Sequence, residues 1–450
     1  MNLNNIHNVY FVGIGGIGMS AIARYFAANG KKVAGYDKTP SQITLDLESL
    51  GVQIHFEDAV KNIPISFLDT KKTLVVYTPA ISKNHAELNY FLENDYTVLK
   101  RSDILGKITE TTFCLAVAGT HGKTTTSAIL GHIMATVNAT SFLGGIAENY
   151  DSNLILGDDK VSVVEADEFD RSFLKLSPNI ACVTSMDADH LDIYGDAEAL
   201  NESFVAFTNK VKDTLIVAKG LPLKGLTYAI NEDADYTAFN LKIESGQYIF
   251  DVKTPTSEIK NIEFHLPGQH NVMNALAALA MADVYGISLT DIKARLSTFK
   301  GVKRRFSYKI KTNDFVLIDD YAHHPTAINA VESSVREMYP KEKVLVVFQP
   351  HLFSRTKDFI DDFALALSKF DEVLLLDIYP AREEPIAGVN SEWLLNKITC
   401  KNKKLTKKNN LVKDIKNSSA KVVTMLGAGD VGVMINEVAE QLLKTVKYDL

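Results

Sequence analysis

The chain predicts a three-domain α/β protein, on three observations. Its 450 residues exceed what one hydrophobic core fills, since domains run to about 150 residues. The coarse pattern is strand, glycine turn, helix, repeated along the length, which implies parallel sheets flanked by helices. And an apolar run feeds straight into a glycine-rich turn three times: Val9 to Val12 before Gly13, Leu115 to Ala118 before Gly119, and Val422 to Leu426 before Gly427.

Taken in order, the first unit holds strands at Val9–Val12, Lys32–Asp37 and Leu74–Tyr77, and ends near Ile108. The middle unit, 109–300, holds Leu115–Ala118, Val161–Val164 and Ala181–Thr184, the last two followed by acidic residues. From about Leu215 to Phe264 short alternating runs such as Tyr248-Ile249-Phe250-Asp251-Val252 read as antiparallel strands, a small sheet of their own. Pro267-Gly268 stops that sheet, and Asn274 to Ala282 reads as a buried helix. The last unit, 301–450, has strands at Phe315–Ile318, Val344–Phe348 and Val373–Leu376. Lysines between Lys401 and Lys416 read as a solvated face.

With 46% hydrophobic and 23% charged residues, the composition is that of an ordinary globular protein rather than a disordered or fibrous one. A net charge of −7 argues against a general nucleic-acid binder. The three cysteines, Cys114, Cys182 and Cys400, form no CxxC or Cys/His pairing, so neither a disulfide framework nor a zinc knuckle is indicated and a reducing cytoplasm fits. No apolar run reaches the roughly 18 residues of a membrane span. The stretch from Val9 to Ala23 imitates a signal peptide but lacks a preceding Lys or Arg and is broken by glycines.

The first turn reads Gly13-Ile14-Gly15-Gly16-Ile17-Gly18, a GxGxxG between a strand and a helical run. Glycines there let the backbone turn tightly and approach a diphosphate, while free N–H groups at the helix start attract anions. Asp37, at the end of the next strand, could accept from a ribose hydroxyl. This motif alone leaves open a nicotinamide or flavin cofactor, another diphosphate nucleotide, or tight packing. The second turn, Gly119-Thr120-His121-Gly122-Lys123-Thr124-Thr125-Thr126, is more specific: backbone N–H groups surround phosphates, the lysine approaches the β/γ oxygens and a threonine hydroxyl reaches Mg²⁺. It is a shortened variant of the usual loop, with Val117 where the first glycine would be.

Carboxylates then arrive at strand ends, Glu165-Ala166-Asp167-Glu168 and Asp187-Ala188-Asp189-His190, where one carboxylate, one hydroxyl and phosphate oxygens would suffice for Mg²⁺. Helix capping by Asp187 or Asp189 is the alternative. In the last unit Asp319-Asp320-Tyr321-Ala322-His323-His324-Pro325 offers paired histidines, of which one is expected to touch substrate, since sequence neighbours point to opposite sides of an extended chain. The basic run Lys303-Arg304-Arg305 could clamp a phosphate or be an exposed linker.

In this order the motifs GIGGIGMSAIA from Gly13, AGTHGKTTT from Ala118, VEADEFDRSFL from Val164, DADHLDIYG from Asp187, LPGQHNVMNALAALA from Leu266, GVKRRF from Gly301, DDYAHHPT from Asp319, FQPHLFSRT from Phe348 and GAGD from Gly427 resemble the Mur ligase family over essentially the whole chain. The resemblance implies a Rossmann-like UDP-binding domain (1–108), a P-loop ATPase domain (109–300) and a Rossmann-like C-terminal ligase domain (301–450). The activity it implies is ATP-dependent ligation of L-alanine to the lactyl carboxylate of UDP-N-acetylmuramate through an acyl phosphate, a cytoplasmic step of peptidoglycan precursor synthesis. A related ligase that recycles murein tripeptide is the alternative.

By the same resemblance, Gly13, Gly15, Gly16, Ile17, Gly18 and Asp37 hold the UDP-sugar, with no redox cofactor. Gly119, Thr120, His121, Gly122, Lys123, Thr124 and Thr125 hold ATP phosphates, His270, Asn271 and Asn274 form the region that contacts adenine, and Arg305 and Asp320 lie near the ATP phosphates and ribose. Thr124, Glu165 and His190 bind Mg²⁺, with Mn²⁺ as a substitute, and Tyr321, His323 and Arg355 surround the amino-acid and muramoyl end. Lys123, His190 and His323 are the implied catalytic residues, the last two as candidate bases. The protein is expected to be a monomer or homodimer acting on small molecules. Phe204, fourteen positions beyond His190, stands where sister ligases adding later residues carry a carbamylated lysine, which agrees with the alanine-adding branch. Leu352 stands where many members of that branch carry an arginine.

Overall fold

The computed structural model describes residues 6–187, 194–244, 246–381 and 383–446. They form two compact units, one of Met1–Asn240, Phe250–Ile262 and Met273–Lys300, the other of Leu241–Ile249, Glu263–Val272 and Gly301–Leu450.

The first sheet consists of β1 (Asn8–Val12), β2 (Lys32–Tyr36), β3 (Gln53–His55), β4 (Thr73–Tyr77) and β5 (Thr97–Lys100), in the order β3-β2-β1-β4-β5. All its pairings are parallel, with Val9 opposite Val33 and Leu74. Val9, Tyr10, Phe11 and Val12 are fully buried, because the sheet is covered on both faces. β1 runs into the glycine turn, which docks on β2 through Gly13 and Ile14 N–H groups donating to the Tyr36 carbonyl.

The second sheet has ten strands: β6 (Phe113–Ala118), β7 (Ala139–Ala147), β8 (Ser152–Ile155), β9 (Asp158–Glu165), β10 (Ile180–Val183), β11 (Thr214–Ala218), β12 (Leu226–Ile230), β13 (Tyr236–Glu244), β14 (Gln247–Lys253) and β15 (Glu258–Phe264). Their order is β15-β14-β13-β12-β11-β10-β6-β9-β7-β8. Two expectations for residues 215–264 need correction. These strands extend the main sheet instead of forming their own, and β11, β12 and β13 pair in parallel. Alternating polarity marks a half-exposed strand and carries no direction, which is why the pattern misled. The buried helix after Pro267-Gly268 is longer than Asn274–Ala282, spanning Gln269–Tyr285.

The first two sheets share one core, running from Val9, Ile22 and Phe26 through Ala116 and Val164 to Phe173 and Phe204. The helix Ile17–Ala28 is the joint. Its Tyr25 ring meets Phe142 at 5.3 Å, and the Asn153 side chain donates to the Ile17 carbonyl and to Ser20 Oγ. Apolar residues on a second face of that helix make solvent separation of the two sheets costly, so the first sheet and β6 to β12 of the second lie in one unit.

The third sheet, in the other unit, has β16 (Ser307–Lys311), β17 (Val316–Asp320), β18 (Val344–Phe348), β19 (Glu372–Leu375), β20 (Asn402–Leu405) and β21 (Val422–Leu426), in the order β16-β17-β21-β18-β19-β20. Only the edge pair β16–β17 is antiparallel among its pairings. Adjacent Leu317 and Ile318 enter apolar clusters on opposite faces. Between Lys401 and Lys416 the lysines are mostly exposed, and Lys404 pairs with Asp414.

Candidate active site

Register builds the centre of the first unit. β6 and β9 pair with Val117 opposite Glu165, so the carboxyl end of β9 delivers its last residue beside the loop that follows β6. That loop turns at Gly119 and Gly122, at φ +135° and +80°, a region where a Cβ is strained. Gly122 caps the helix Lys123–Met134 without a side-chain hydrogen bond, so its first-turn N–H groups make the end of the helix that attracts anions. Thr184, read in the sequence only as a strand end, and Ser185, which no motif included, brace the loop: Thr184 Oγ1 donates to the Ala118 and His121 carbonyls, and Ser185 Oγ accepts the His121 N–H at 2.8 Å. Thr120 Oγ1 lies 2.9 Å from Ser185 Oγ, and Thr125 is buried.

Lys123 Nζ donates to the Gly119 carbonyl at 2.6 Å and lies 2.9 and 2.7 Å from the two carboxylate oxygens of Glu168. Burial opposes charging Lys123, but Glu168, Asp167 and Glu165 outweigh it and raise its pKa. Glu168 is fully buried, and Tyr194 Oη donates to its carbonyl. It was quoted in the acidic run but given no role; only folding turns it toward the lysine.

Thr124 Oγ1 donates to Glu165 Oε1 at 3.0 Å, and Gly144 N–H donates to Glu165 Oε2 at 3.0 Å. A hydroxyl and a carboxylate oxygen this close are hard donors that suit Mg²⁺, which keeps waters and phosphate oxygens for its other positions. His190, the third implied ligand, lies outside the described residues, among which no three His, Cys, Asp or Glu side chains converge as a metal site. Asp187 lies 3.2 Å from His121 Nε2 and caps no described helix; the cap of Ala197–Thr208 is Asp196.

The first glycine turn joins this centre. A cavity of about 310 Å³ is lined by Gly16, Ile17 and Gly18 on one side and by Gly144, Glu165 and Asp167 on the other. Asp37 Oδ2 accepts the Gly15 N–H at 2.7 Å, holding the turn's shape. Among the residues expected around adenine, Asn274 Oδ1 accepts from Thr126 Oγ1 at 3.2 Å and would lie 2.5 Å from a Cβ at Gly122, so it backs the phosphate loop. His270 and Asn271 belong to the other unit, where Asn271 donates to the Pro267 carbonyl and His270 is exposed.

In the second unit a cluster forms at the carboxyl ends of β17, β18 and β21. Asp320 is buried and accepts the Phe306 and Ala322 N–H groups, each at 2.7 Å, which fixes both flanking loops. Burial nonetheless raises its pKa. Arg304 and Arg305 lie over the Tyr321 ring, 5.1 and 5.2 Å from its centroid. Asp319, unassigned before, is buried beside Arg304 and Lys309 at 3.5 and 3.9 Å, and desolvation pushes it up to about 6.

The paired histidines divide their work. His323 Nδ1 sits 2.8 Å from the Tyr321 carbonyl, which can only accept, so the neutral ring carries its proton on Nδ1 and its lone pair on Nε2. His324 has the opposite tautomer: its Nδ1 accepts the Thr326 N–H and caps the helix Pro325–Met338. His323 is 6.0 Å from His351, which stacks on Tyr379. Arg355 is buried on the short helix Phe353–Asp358, preceded by Leu352 at φ +72°. In the first unit Phe204 lies in the core, 5.4 Å from the Phe173 ring.

Doubly wound sheets with a P-loop lysine among carboxylates, and the first glycine turn opening on a cavity that Glu165 also lines, define a P-loop nucleotide enzyme. Family models match in succession, the Mur ligase family catalytic domain at 8–112, the Mur ligase middle domain at 117–282 and the Mur ligase glutamate ligase domain at 304–435. A UDP-N-acetylmuramate–L-alanine ligase of Flavobacterium psychrophilum is 62% identical over 446 residues, covering 98% of this chain and 99% of its own. The crystal structure of the Thermotoga maritima UDP-N-acetylmuramate–alanine ligase superposes with a TM-score of 0.82 at 27% identity, covering 98% of this chain and 100% of that one. A murein peptide ligase from Psychrobacter arcticus shares the fold, with a TM-score of 0.70 at 22% identity and 98% coverage of both chains. The chain belongs to the Mur ligase family, whose members are ATP-dependent amide ligases.

Proposed function

We propose that the protein joins L-alanine to the lactyl carboxylate of UDP-N-acetylmuramate with conversion of ATP to ADP and phosphate, in the cytoplasm, as a step of peptidoglycan precursor synthesis. The observation that carries this reading is the cavity lined jointly by the first glycine turn and by Glu165 and Gly144 beside the phosphate loop. A sugar nucleotide held by its diphosphate at Gly16–Gly18 would extend its carboxylate toward the γ-phosphate of ATP. Full-length identity of 62% to an alanine-adding relative supports the choice of amino acid.

A carboxylate is a poor electrophile, so the γ-phosphoryl group passes to it first, giving an acyl phosphate and ADP. The alanine amine then attacks the acyl carbon, the tetrahedral intermediate collapses, and phosphate leaves as the amide forms. The Lys123 ammonium and the N–H groups at the start of its helix offset the repulsion between triphosphate and carboxylate. Thr124 and Glu165 would hold Mg²⁺, which supplies charge neutralisation at the phosphates. Alanine must lose an ammonium proton before attack. His323, with its lone pair on Nε2, is one candidate base; His190 is the other. The proposed division gives the sugar nucleotide to residues 1–108, ATP to 109–300 and the amino acid to 301–450.

The test is phosphate release from ATP with Mg²⁺ and UDP-N-acetylmuramate, comparing L-alanine, D-glutamate and the murein tripeptide, with Lys123→Ala as control. Release that depends on L-alanine and is lost in the variant is expected. Release with the tripeptide alone moves the protein to the recycling activity, and no release with any acceptor refutes the ligase reading.

A further inference from the structure

The cavity beside the glycine turn contains one cation that none of the motifs includes. Arg101 opens the helix Arg101–Thr111 directly after β5 and lines the cavity together with Gly16–Gly18, Glu165 and Asp167. Its guanidinium lies against the bare backbone of Gly18, where an added Cβ would sit 2.9 Å from Nη1 and 3.1 Å from Cδ. Gly18 is in the first turn of the helix Ile17–Ala28, which has no side-chain cap and no acidic residue in that turn. The guanidinium and the first-turn N–H groups thus border the same space. Arg101 Nη2 is also 3.6 Å from Asp167 Oδ2, and its side chain is 22% exposed.

Anchoring the helix does not require this arginine. Lys100 pairs with Asp170 at 3.5 Å and Asp103 with Lys175 at 3.2 Å, so two other ion pairs tie the same turn to the segment after β9. The charge balance of the cavity points to a ligand instead. Its lining includes Glu165 and Asp167 and, on the basic side, Arg101. A diphosphate entering beside two carboxylates needs a cation at its own end, and a guanidinium presents a fork of donors suited to phosphate oxygens.

We propose that Arg101 is a substrate-contacting residue, binding the diphosphate of the acceptor nucleotide across the start of the helix Ile17–Ala28, with Asp167 competing for its guanidinium. The proposal rests on the sugar-nucleotide reading above and adds to it the residue that grips the diphosphate.

Two readouts test it: calorimetric titration with UDP, which has the diphosphate but no lactyl carboxylate, and steady-state phosphate release with UDP-N-acetylmuramate. Arg101→Ala should raise the Kd for UDP and the KM for the acceptor about thirtyfold, leaving kcat and the KM for ATP within about threefold. Arg101→Lys, a point charge without the fork, should fall between. Asp167→Asn should move the other way, tightening UDP about threefold by freeing the guanidinium. An unchanged UDP Kd in Arg101→Ala overturns the proposal, even if the acceptor KM rises, because the contact would then lie at the carboxylate. So does Asp167→Asn weakening UDP as Arg101→Ala does, since the pair would then be structural, and so does failure of UDP to bind the wild-type protein. If Arg101→Ala does not fold, Arg101→Lys and Asp167→Asn retain their opposite expected signs. Arg101-dependent UDP binding without turnover refutes the ligase reading alone.

Discussion

Replacing Glu168 by glutamine should weaken the empty protein and strengthen its grip on ATP. The carboxylate is fully buried and both its oxygens lie within 2.9 Å of Lys123 Nζ, whose side chain is 12% exposed. Removing one partner of a buried pair costs about 3–5 kcal/mol because the other charge is left without compensation. Glutamine keeps an oxygen that can accept, so the low end, about 3 kcal/mol, is expected. At roughly 2 °C per kcal/mol for a unit of this size, melting should fall by about 6 °C. Triphosphate then supplies the counter-charge that Lys123 has lost, so a non-hydrolysable ATP analogue at saturation should recover a little under half of the deficit, about 1.4 kcal/mol. Its Kd should drop about tenfold, since the lysine no longer exchanges one carboxylate for another anion. Scanning calorimetry of both proteins with and without the analogue measures each quantity. Equal ligand-induced shifts in the two proteins, or a variant that melts like the wild type, would refute the argument that Glu168 and ATP share this lysine.

Three other substitutions probe separate contacts. Gly144→Ala sets a methyl 2.1 Å from Glu165 Oε2; the carboxylate can swing aside, so melting should change by less than about 1 kcal/mol while phosphate release falls about a hundredfold, and unaltered release would count against Glu165 acting from this position. Glu87 is buried, accepts from Tyr10 Oη at 2.6 Å, and burial pushes it up to about 7. An acid whose folded pKa exceeds its unfolded value of 4.5 loses stability as pH rises through the interval between them, so relative to Glu87→Gln the wild type should lose on the order of 2 kcal/mol between pH 4.5 and 7; parallel melting-versus-pH curves would exclude it. Asp320→Ala removes the acceptor of two buried N–H groups and should destabilise the second unit by about 3 kcal/mol, read by denaturant unfolding, whereas a purely ligand-binding aspartate would leave stability unchanged.

The α/β architecture and both glycine turns were legible in the chain because they are local: a strand, a turn that needs glycine at Gly119 and Gly122, and a helix start within a few residues of each other. Lys123, Thr124 and Glu165 could be named for the same reason, each lying at a strand or helix end whose chemistry is set by its neighbours in sequence. Tertiary structure decided what depends on register and burial. The pairing of Val117 with Glu165 carries that carboxylate to Thr124, Glu168 turns inward to Lys123, and Arg101 reaches Gly18 from a helix more than eighty positions away. Strand direction from β11 to β13 was likewise undetermined, since side-chain alternation is identical in parallel and antiparallel strands. A sequence states which groups are available to ionise or donate; which of them share a low-dielectric space, and so govern one another's charge, follows only from the way the sheets pack.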